Sequence, residues 1–205
     1  MTDARALPTA VLTARFSEAV RWASHLHADQ CRKGTHIAYV SHLLAVASLV
    51  LEDDGTEEEV IAGVLHDVIE DCGVREAEIR ARFGGPVAEI VIECTERRPP
   101  DEPPTRENWK RRKEAYLDHL ASDGVSDGAL RVSVADKLHN ARSILSDLRE
   151  HGSGIWDEKD FHAGAPEQRW YYERLAAVLG AKHDSVVTRE LQRVVAELVA
   201  EIARA

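Results

Sequence analysis

His66-Asp67 followed by Glu70-Asp71 gathers an imidazole and three carboxylates into one short segment, Val-Leu-His-Asp-Val-Ile-Glu-Asp. Apolar residues recur around it at Ile61, Val64, Leu65, Val68 and Ile69, the spacing of one helical face. At 100° per residue, His66, Asp67, Glu70 and Asp71 fall on the opposite arc, with 66/70 and 67/71 as i,i+4 neighbours. So much negative charge on one patch repels itself and resists desolvation unless a cation sits within it. The pattern is that of a metal site.

Two further segments can complete the set. His42 begins a stretch that is otherwise almost wholly apolar, where a lone histidine is more often a hydrogen-bonded core residue than a ligand. Asp136 lies in Val-Ala-Asp-Lys-Leu-His-Asn-Ala-Arg-Ser; there Val134, Leu138, Ala141 and Leu145 form an apolar face, and Asp136, Asn140 and Ser143 share the other. A solvated face accounts for that segment taken alone. Taken together, the three segments offer two imidazoles and two carboxylates, a mixed N/O donor set suited to Mn²⁺, Fe²⁺ or Zn²⁺. Such an ion lowers the pKa of a bound water from about 15.7 towards about 7. Glu70 or Asp71 is then placed to take that water's proton.

The elements that must position these groups read as helices almost throughout. Helical periodicity runs from Thr9 to about Asp29 through Leu12, Phe16, Val20, Ala23 and His27. The stretch Arg32 to His36 breaks it. Ser41 is the expected N-cap of an apolar helix to Leu51, closed by Asp53-Asp54-Gly55. The His-Asp segment is expected as a single helix ending near Cys72-Gly73. Two helices split at Gly84-Gly85-Pro86 come next, and the four prolines between Arg97 and Arg106 mark a loop. Helices are then expected over Glu107–Ser122, Leu130–Leu148, Glu167–Leu179 and Ser185–Ala203. A polar turn containing Gly124 and Gly128 and an irregular rim over His151–Pro166 connect them. No βαβ alternation or repeat is visible, so the expected fold class is all-α.

The chain of 205 residues, 44% hydrophobic, suits one domain over residues 1–205, with a motif-bearing core at about 16–179 and an amphipathic helix at about 185–203. A formal charge of −10 argues against nucleic-acid or membrane-surface partners, which call for a basic face. No run of eighteen apolar residues is present, and the first residues lack the pattern of a secretory signal. Cys31, Cys72 and Cys94, odd in number and without CxxC spacing, read as reduced and mostly buried thiols of a cytoplasmic protein. Oligomeric state is not legible.

The ordered set His42, His66-Asp67, Asp136 resembles the HD superfamily of metal-dependent phosphohydrolases. The surrounding text, His27-Ala-Asp-Gln30-Cys-Arg32-Lys33-Gly34, Tyr39-Val-Ser-His42, His66-Asp-Val-Ile-Glu70-Asp71 and Ala135-Asp-Lys-Leu-His-Asn140, is similar to the hydrolase domain of RelA/SpoT-type alarmone enzymes. Trp109, Arg112-Lys113 and Trp170-Tyr171-Tyr172 are similar to the stand-alone small alarmone hydrolases. The resemblance implies an HD-type helical bundle with one metal site, binding Mn²⁺ through His42, His66, Asp67 and Asp136. It implies 3′-pyrophosphate hydrolysis of (p)ppGpp, with Glu70 and Asp71 acting on the attacking water. Arg32 and Lys33 are then expected around the base and Asn140 and Ser143 against base or ribose, while Lys113 and Lys137 are candidate phosphate partners. Related readings are the same chemistry on (p)ppApp, 2′-phosphate removal from NADPH, another HD nucleotide phosphohydrolase, or a non-catalytic sensor of nucleotide or metal. The chain departs from the family text at Ala38-Tyr39-Val40, at Leu43 after the first histidine, and at Thr35-His36-Ile37-Ala38 in the Arg-Lys loop. These departures touch the base-facing loop and leave the ligand set intact.

Overall fold

In a computed structural model, the structure describes residues 12–96, 99, 102, 103, 105–158 and 163–204. Secondary structure among them is helical, apart from a lone antiparallel bridge between Cys31 and Ala38. Helices α1 (Ala14–Leu26), α2 (Val40–Glu52), α3 (Glu57–Leu65), α4 (Val68–Cys72), α5 (Glu76–Phe83) and α6 (Gly85–Cys94) make the first part. Next come α7 (Arg106–Ala121), α8 (Asp127–His151), α9 (Ile155–Glu158), α10 (Ala165–Lys182) and α11 (Val186–Ile202). The all-α class expected from the periodicity is the one observed.

Local signals explain where the helices start. Thr13, Thr105, Ser126 and Ser185 each accept a hydrogen bond from a backbone N–H of their first turn. Thr56 and Glu59 form a reciprocal capping box at α3. Pro86 sits in the first turn of α6, where its missing N–H costs nothing. The expected cap at Ser41 is corrected: α2 begins at Val40 and Tyr39 holds the cap position without a side-chain bond, so Ser41 lies inside the first turn. Gly128 likewise belongs to α8 and not to the preceding turn; a Cβ there would lie 2.9 Å from Ile90 Cδ1.

α8 is the axis of the bundle. It packs against α2, α3, α6, α10 and α11, and between Ala129 and Leu138 its residues are buried except Arg131 and Lys137, which are half-buried. A helix surrounded on this many sides holds its polar side chains in fixed places, which is what a site requires. The C-terminal helix shares the same hydrophobic cluster through Leu191 and Leu198. Of its expected stripe, Val187, Leu191, Val194, Leu198 and Ile202, the first four are buried and Ile202 is half-buried.

The predicted single His-Asp helix is interrupted. α3 ends at Leu65 and α4 begins at Val68, with His66 and Asp67 forming the turn between them. Asp67 becomes the N-cap residue of α4, its carbonyl accepting from Asp71 N at 2.9 Å. Both residues keep near-helical backbone angles, so the apolar period passes through the break unchanged. The expected rim over 151–166 is largely helical in its described part: a 3₁₀ turn and α9 lead into it, with Ile155 and Trp156 buried. Residues 159–162, half of the proline-rich loop at 97–106 (97, 98, 100, 101 and 104), the first eleven residues and Ala205 lie outside the described residues. Cys31 is exposed and Cys72 and Cys94 half-buried, so the expected burial of the thiols holds only in part; all three are free. No helix among the described residues is long and apolar enough to cross a membrane.

Gly55 closes α2 by donating its N–H to Val50 O at 2.9 Å, and an added Cβ would lie 2.6 Å from that same carbonyl oxygen. Backbone cannot yield as a flexible side chain does. Gly55→Ala is therefore expected to cost about 1–3 kcal/mol, the usual price of overpacking. Thermal melting should show a Tm lowered by several degrees while turnover per folded molecule is unchanged; an unaltered Tm would mean that the α2–α3 connection relaxes freely.

Candidate metal centre and nucleotide cleft

His42 comes from the first turn of α2, His66 and Asp67 from the α3–α4 turn, and Asp136 from the middle of α8. The structure brings all four together. His42 Nε2 lies 3.3 Å from His66 Nε2, 3.2 Å from Asp136 Oδ1 and 3.6 Å from Asp67 Oδ2. His66 Nε2 is 2.9 Å from Asp67 Oδ2 and 3.7 Å from Asp136 Oδ1. His42 is 1% exposed and Asp136 6%, which sets aside both the solvated-face reading of Asp136 and a remote core position for His42.

The donor set fits a divalent ion. One ligand atom each from His42, His66 and Asp67 lies within 4.8 Å of the others, and Asp136 Oδ1 faces both imidazoles. His66 Nδ1 is 2.8 Å from Gly63 O; a carbonyl only accepts, so Nδ1 carries the proton and donates it, leaving Nε2 directed at the cluster. Burial opposes charge on His66, yet the carboxylates of Asp67 and Asp136 overcome it and hold its pKa well above the ordinary imidazole range. Burial likewise opposes ionisation of Asp67, but the neighbouring His66 keeps that carboxyl below the usual range. For Asp136 the same opposition from burial is overcome by Lys137 and the two histidines. The cluster thus selects for positive charge at its centre, which a divalent cation supplies.

Around this set the structure adds supports. Tyr39 donates its hydroxyl to Asp67 Oδ2 at 2.6 Å. Lys137 Nζ and Asn140 Nδ2 donate to the two oxygens of Asp136 at 2.6 and 2.5 Å. His139 Nδ1 sits 2.8 Å from His42 Nδ1. Neither Tyr39 nor His139 was singled out from sequence. His139 is three residues from Asp136 and so shares its helical face; that spacing was the available signal.

Glu70 and Asp71 stand beside the cluster through α4. Glu70 accepts the backbone N–H of Glu96, and Asp71 accepts from Gln30 Nε2 at 2.7 Å. Glu70 is open to solvent along one side, but the protein packed around its carboxyl desolvates it and Asp67 repels its charge, so its pKa is pushed up to about 7. Burial and Asp67 raise Asp71 also. A carboxylate poised near neutrality suits proton transfer.

A cavity of about 520 Å³ lies along the same stretch of α8. Arg32, Lys33, Lys113, Lys137, Asn140 and Ser143, the six residues expected from sequence to meet substrate, all line it. Arg32 donates to Asn140 Oδ1 at 2.7 Å and its guanidinium lies 5.8 Å from the Tyr39 ring centre. Lys113 donates to Glu96 Oε2 at 2.5 Å, so both it and Lys137 hold carboxylate partners and keep further N–H groups for a ligand. Trp109 and Tyr171, in edge-to-face contact at 5.9 Å, build an aromatic wall from α7 and α10. The Tyr171 hydroxyl is buried without a hydrogen-bond partner among the described residues, the mark of a polar group awaiting one.

The chain belongs to the HD-domain family, whose model matches residues 19–158. Family members are metal-dependent phosphohydrolases, and this chain is such an enzyme. Within the family its relatives are the small alarmone hydrolases. It is 31% identical over 134 residues to the mouse guanosine-3′,5′-bis(diphosphate) 3′-pyrophosphohydrolase MESH1, covering 64% of this chain and 70% of that protein. It is 33% identical over 123 residues to a probable enzyme of the same name from Synechocystis, covering 60% of this chain but only 16% of that longer protein. Among solved structures it superposes on lmo0812 from Listeria monocytogenes with a TM-score of 0.67 at 28% identity, covering 78% of this chain and 99% of that one. A metazoan SpoT orthologue described as hydrolysing ppGpp shares the fold, with a TM-score of 0.70 at 22% identity over 90% of this chain and 95% of its own.

Proposed function

We propose that this protein is a Mn²⁺-dependent 3′-pyrophosphohydrolase of (p)ppGpp, releasing pyrophosphate and GDP or GTP. The observation that carries this reading is the continuity of two features along α8. Lys137 and Asn140 line the cationic, aromatic-walled cavity and both donate to Asp136 of the four-residue donor set, so a nucleotide in the cavity would present its 3′-diphosphate to the cluster. The similarity to MESH1, whose name states that activity, supports the substrate.

In this reading His42, His66, Asp67 and Asp136 hold the ion. When bound, it polarises the phosphoryl oxygens and increases the acidity of water. The chain's own groups do the rest. Glu70, assisted by Asp71, takes a proton from the attacking water. The water oxygen forms a bond to the phosphorus attached to O3′, and the P–O3′ bond breaks; the 3′ oxygen leaves with a proton as the nucleoside hydroxyl. Lys113 and Lys137 face the phosphates, Arg32 and Lys33 the base, and Asn140 and Ser143 the nucleoside.

The decisive experiment is product analysis with Mn²⁺ and ppGpp, ppApp, NADPH and cyclic nucleotides in parallel. GDP and intact pyrophosphate from ppGpp, formed in preference to products from the others, is the expected result. Preference for ppApp would change the base but keep the chemistry, release of orthophosphate from NADPH alone would replace the proposed reaction, and binding without turnover would make the protein a sensor.

Arg32 offers a second test. A planar guanidinium stacks on a purine where an ammonium cannot, and Arg32 is held at the cavity wall by Asn140. Arg32→Lys, which keeps the charge, is expected to raise KM several-fold with little change in kcat. An unchanged KM would leave charge as Arg32's whole contribution.

A further inference from the structure

The two histidines of the cluster are held in different ways. His66 Nδ1 faces the carbonyl of Gly63, which can only accept, so its proton position is fixed by backbone. His42 Nδ1 faces another imidazole nitrogen, His139 Nδ1, at 2.8 Å. Such a pair has two solutions, and they differ in what His42 can do. If His139 donates, His42 carries its proton on Nε2, pointing at the cluster, and cannot be a ligand. If His42 donates, its Nε2 lone pair is directed at the cluster.

We propose that His139 is the positioning residue for His42: its Nδ1 accepts the His42 Nδ1–H and so sets the ring orientation and tautomer that make His42 Nε2 a metal ligand. The inference rests on the metal-binding reading of the cluster.

The surroundings support this direction of donation. His42 is 1% exposed, so no water competes for its Nδ1, and its ring is packed at 65° to Tyr39 and 68° to His66. His139 is half-buried at the cavity wall, where its Nε2–H has room for a partner. The His139 backbone is set by α8, three residues from Asp136, so one helix supplies a ligand and, one turn further on, the acceptor that orients the opposing ligand. Acceptors of this kind on ligating histidines are ordinarily carboxylates or carbonyls, and their removal typically weakens metal affinity by about 10–100-fold.

The test compares His139→Leu, which keeps bulk but has no acceptor, with His139→Asn, whose Oδ1 can stand where Nδ1 stood. Mn²⁺ alone is titrated into the metal-free full-length proteins by calorimetry, with His42→Ala as control and circular dichroism as the check on fold. The expected result is a loss of affinity of about 10–100-fold in His139→Leu, largely restored in His139→Asn, and abolition in His42→Ala. Wild-type affinity in His139→Leu while His42→Ala has lost binding would overturn this inference alone. Wild-type affinity in His42→Ala, or no Mn²⁺ binding by the wild type, would overturn the metal reading and the inference with it. Should His139→Leu not fold, imidazole ¹⁵N shifts of the Zn²⁺-loaded wild type decide the matter: a proton on His42 Nδ1 with none on His139 Nδ1 supports the proposal, and a proton on His42 Nε2 or on His139 Nδ1 refutes it.

Discussion

Asp136→Ala is expected to reduce turnover below detection and to remove most Mn²⁺ binding from a protein that remains helical. Asp136 Oδ1 meets both imidazoles, at 3.2 and 3.7 Å, while Oδ2 neutralises Lys137. Truncation therefore takes away a donor and leaves Lys137 charged beside the site, so stability will fall as well. Asp136→Asn separates the two effects, because it keeps the volume and can still accept a hydrogen bond while losing the anionic donor. Equilibrium Mn²⁺ titration, activity and circular dichroism on both variants make the comparison. Full metal content with full turnover in either would remove Asp136 from the centre.

Glu70→Gln should leave Mn²⁺ and substrate affinity near wild type while lowering kcat by about 10²–10⁴-fold, the span usual for general acid–base groups. The isosteric amide can still accept the Glu96 N–H, so the fold around α4 is kept. A pH profile adds an independent reading. Desolvation and the Asp67 charge push the Glu70 carboxyl up to about 7, and a bound cation pulls it back down. A base works only when deprotonated, so kcat/KM of the wild type should fall as pH drops through a midpoint at or below about 7. That limb should be absent from the Gln variant. A loss that appears in metal affinity and not in kcat would place Glu70 among the ligands.

Much of this architecture is legible in the sequence because each helix carries its own period and stop signals. The break between α3 and α4 is not, since His66 and Asp67 stay near helical angles and leave the apolar rhythm undisturbed. Convergence of His42, His66-Asp67 and Asp136 is accessible through residue type and order, because three separate segments that together offer two imidazoles and two carboxylates share a reason. The supports were harder to see. Tyr39 reaches Asp67 across 28 residues and His139 reaches His42 across 97, and nothing local marks such pairs. Glu96 shows the same difficulty: it follows the last turn of α6, yet its backbone N–H meets Glu70 and its side chain holds Lys113 and Arg112.

One consequence follows from α8 carrying Asp136, Asn140 and Ser143 on a single unbroken helix wedged among five others. Seven residues at 1.5 Å each set the levels of Asp136 and Ser143 about 10 Å apart. If the proposed roles hold, that span is a gauge: it would measure the substrate from its scissile phosphorus to its nucleoside and favour molecules of matching length. Inserting or deleting one residue between 136 and 143 would swing one end by about 100° and shift it by 1.5 Å, uncoupling recognition from cleavage at a stroke. New substrates can therefore arise here by exchanging side chains at fixed stations along the rod, while its length stays under constraint.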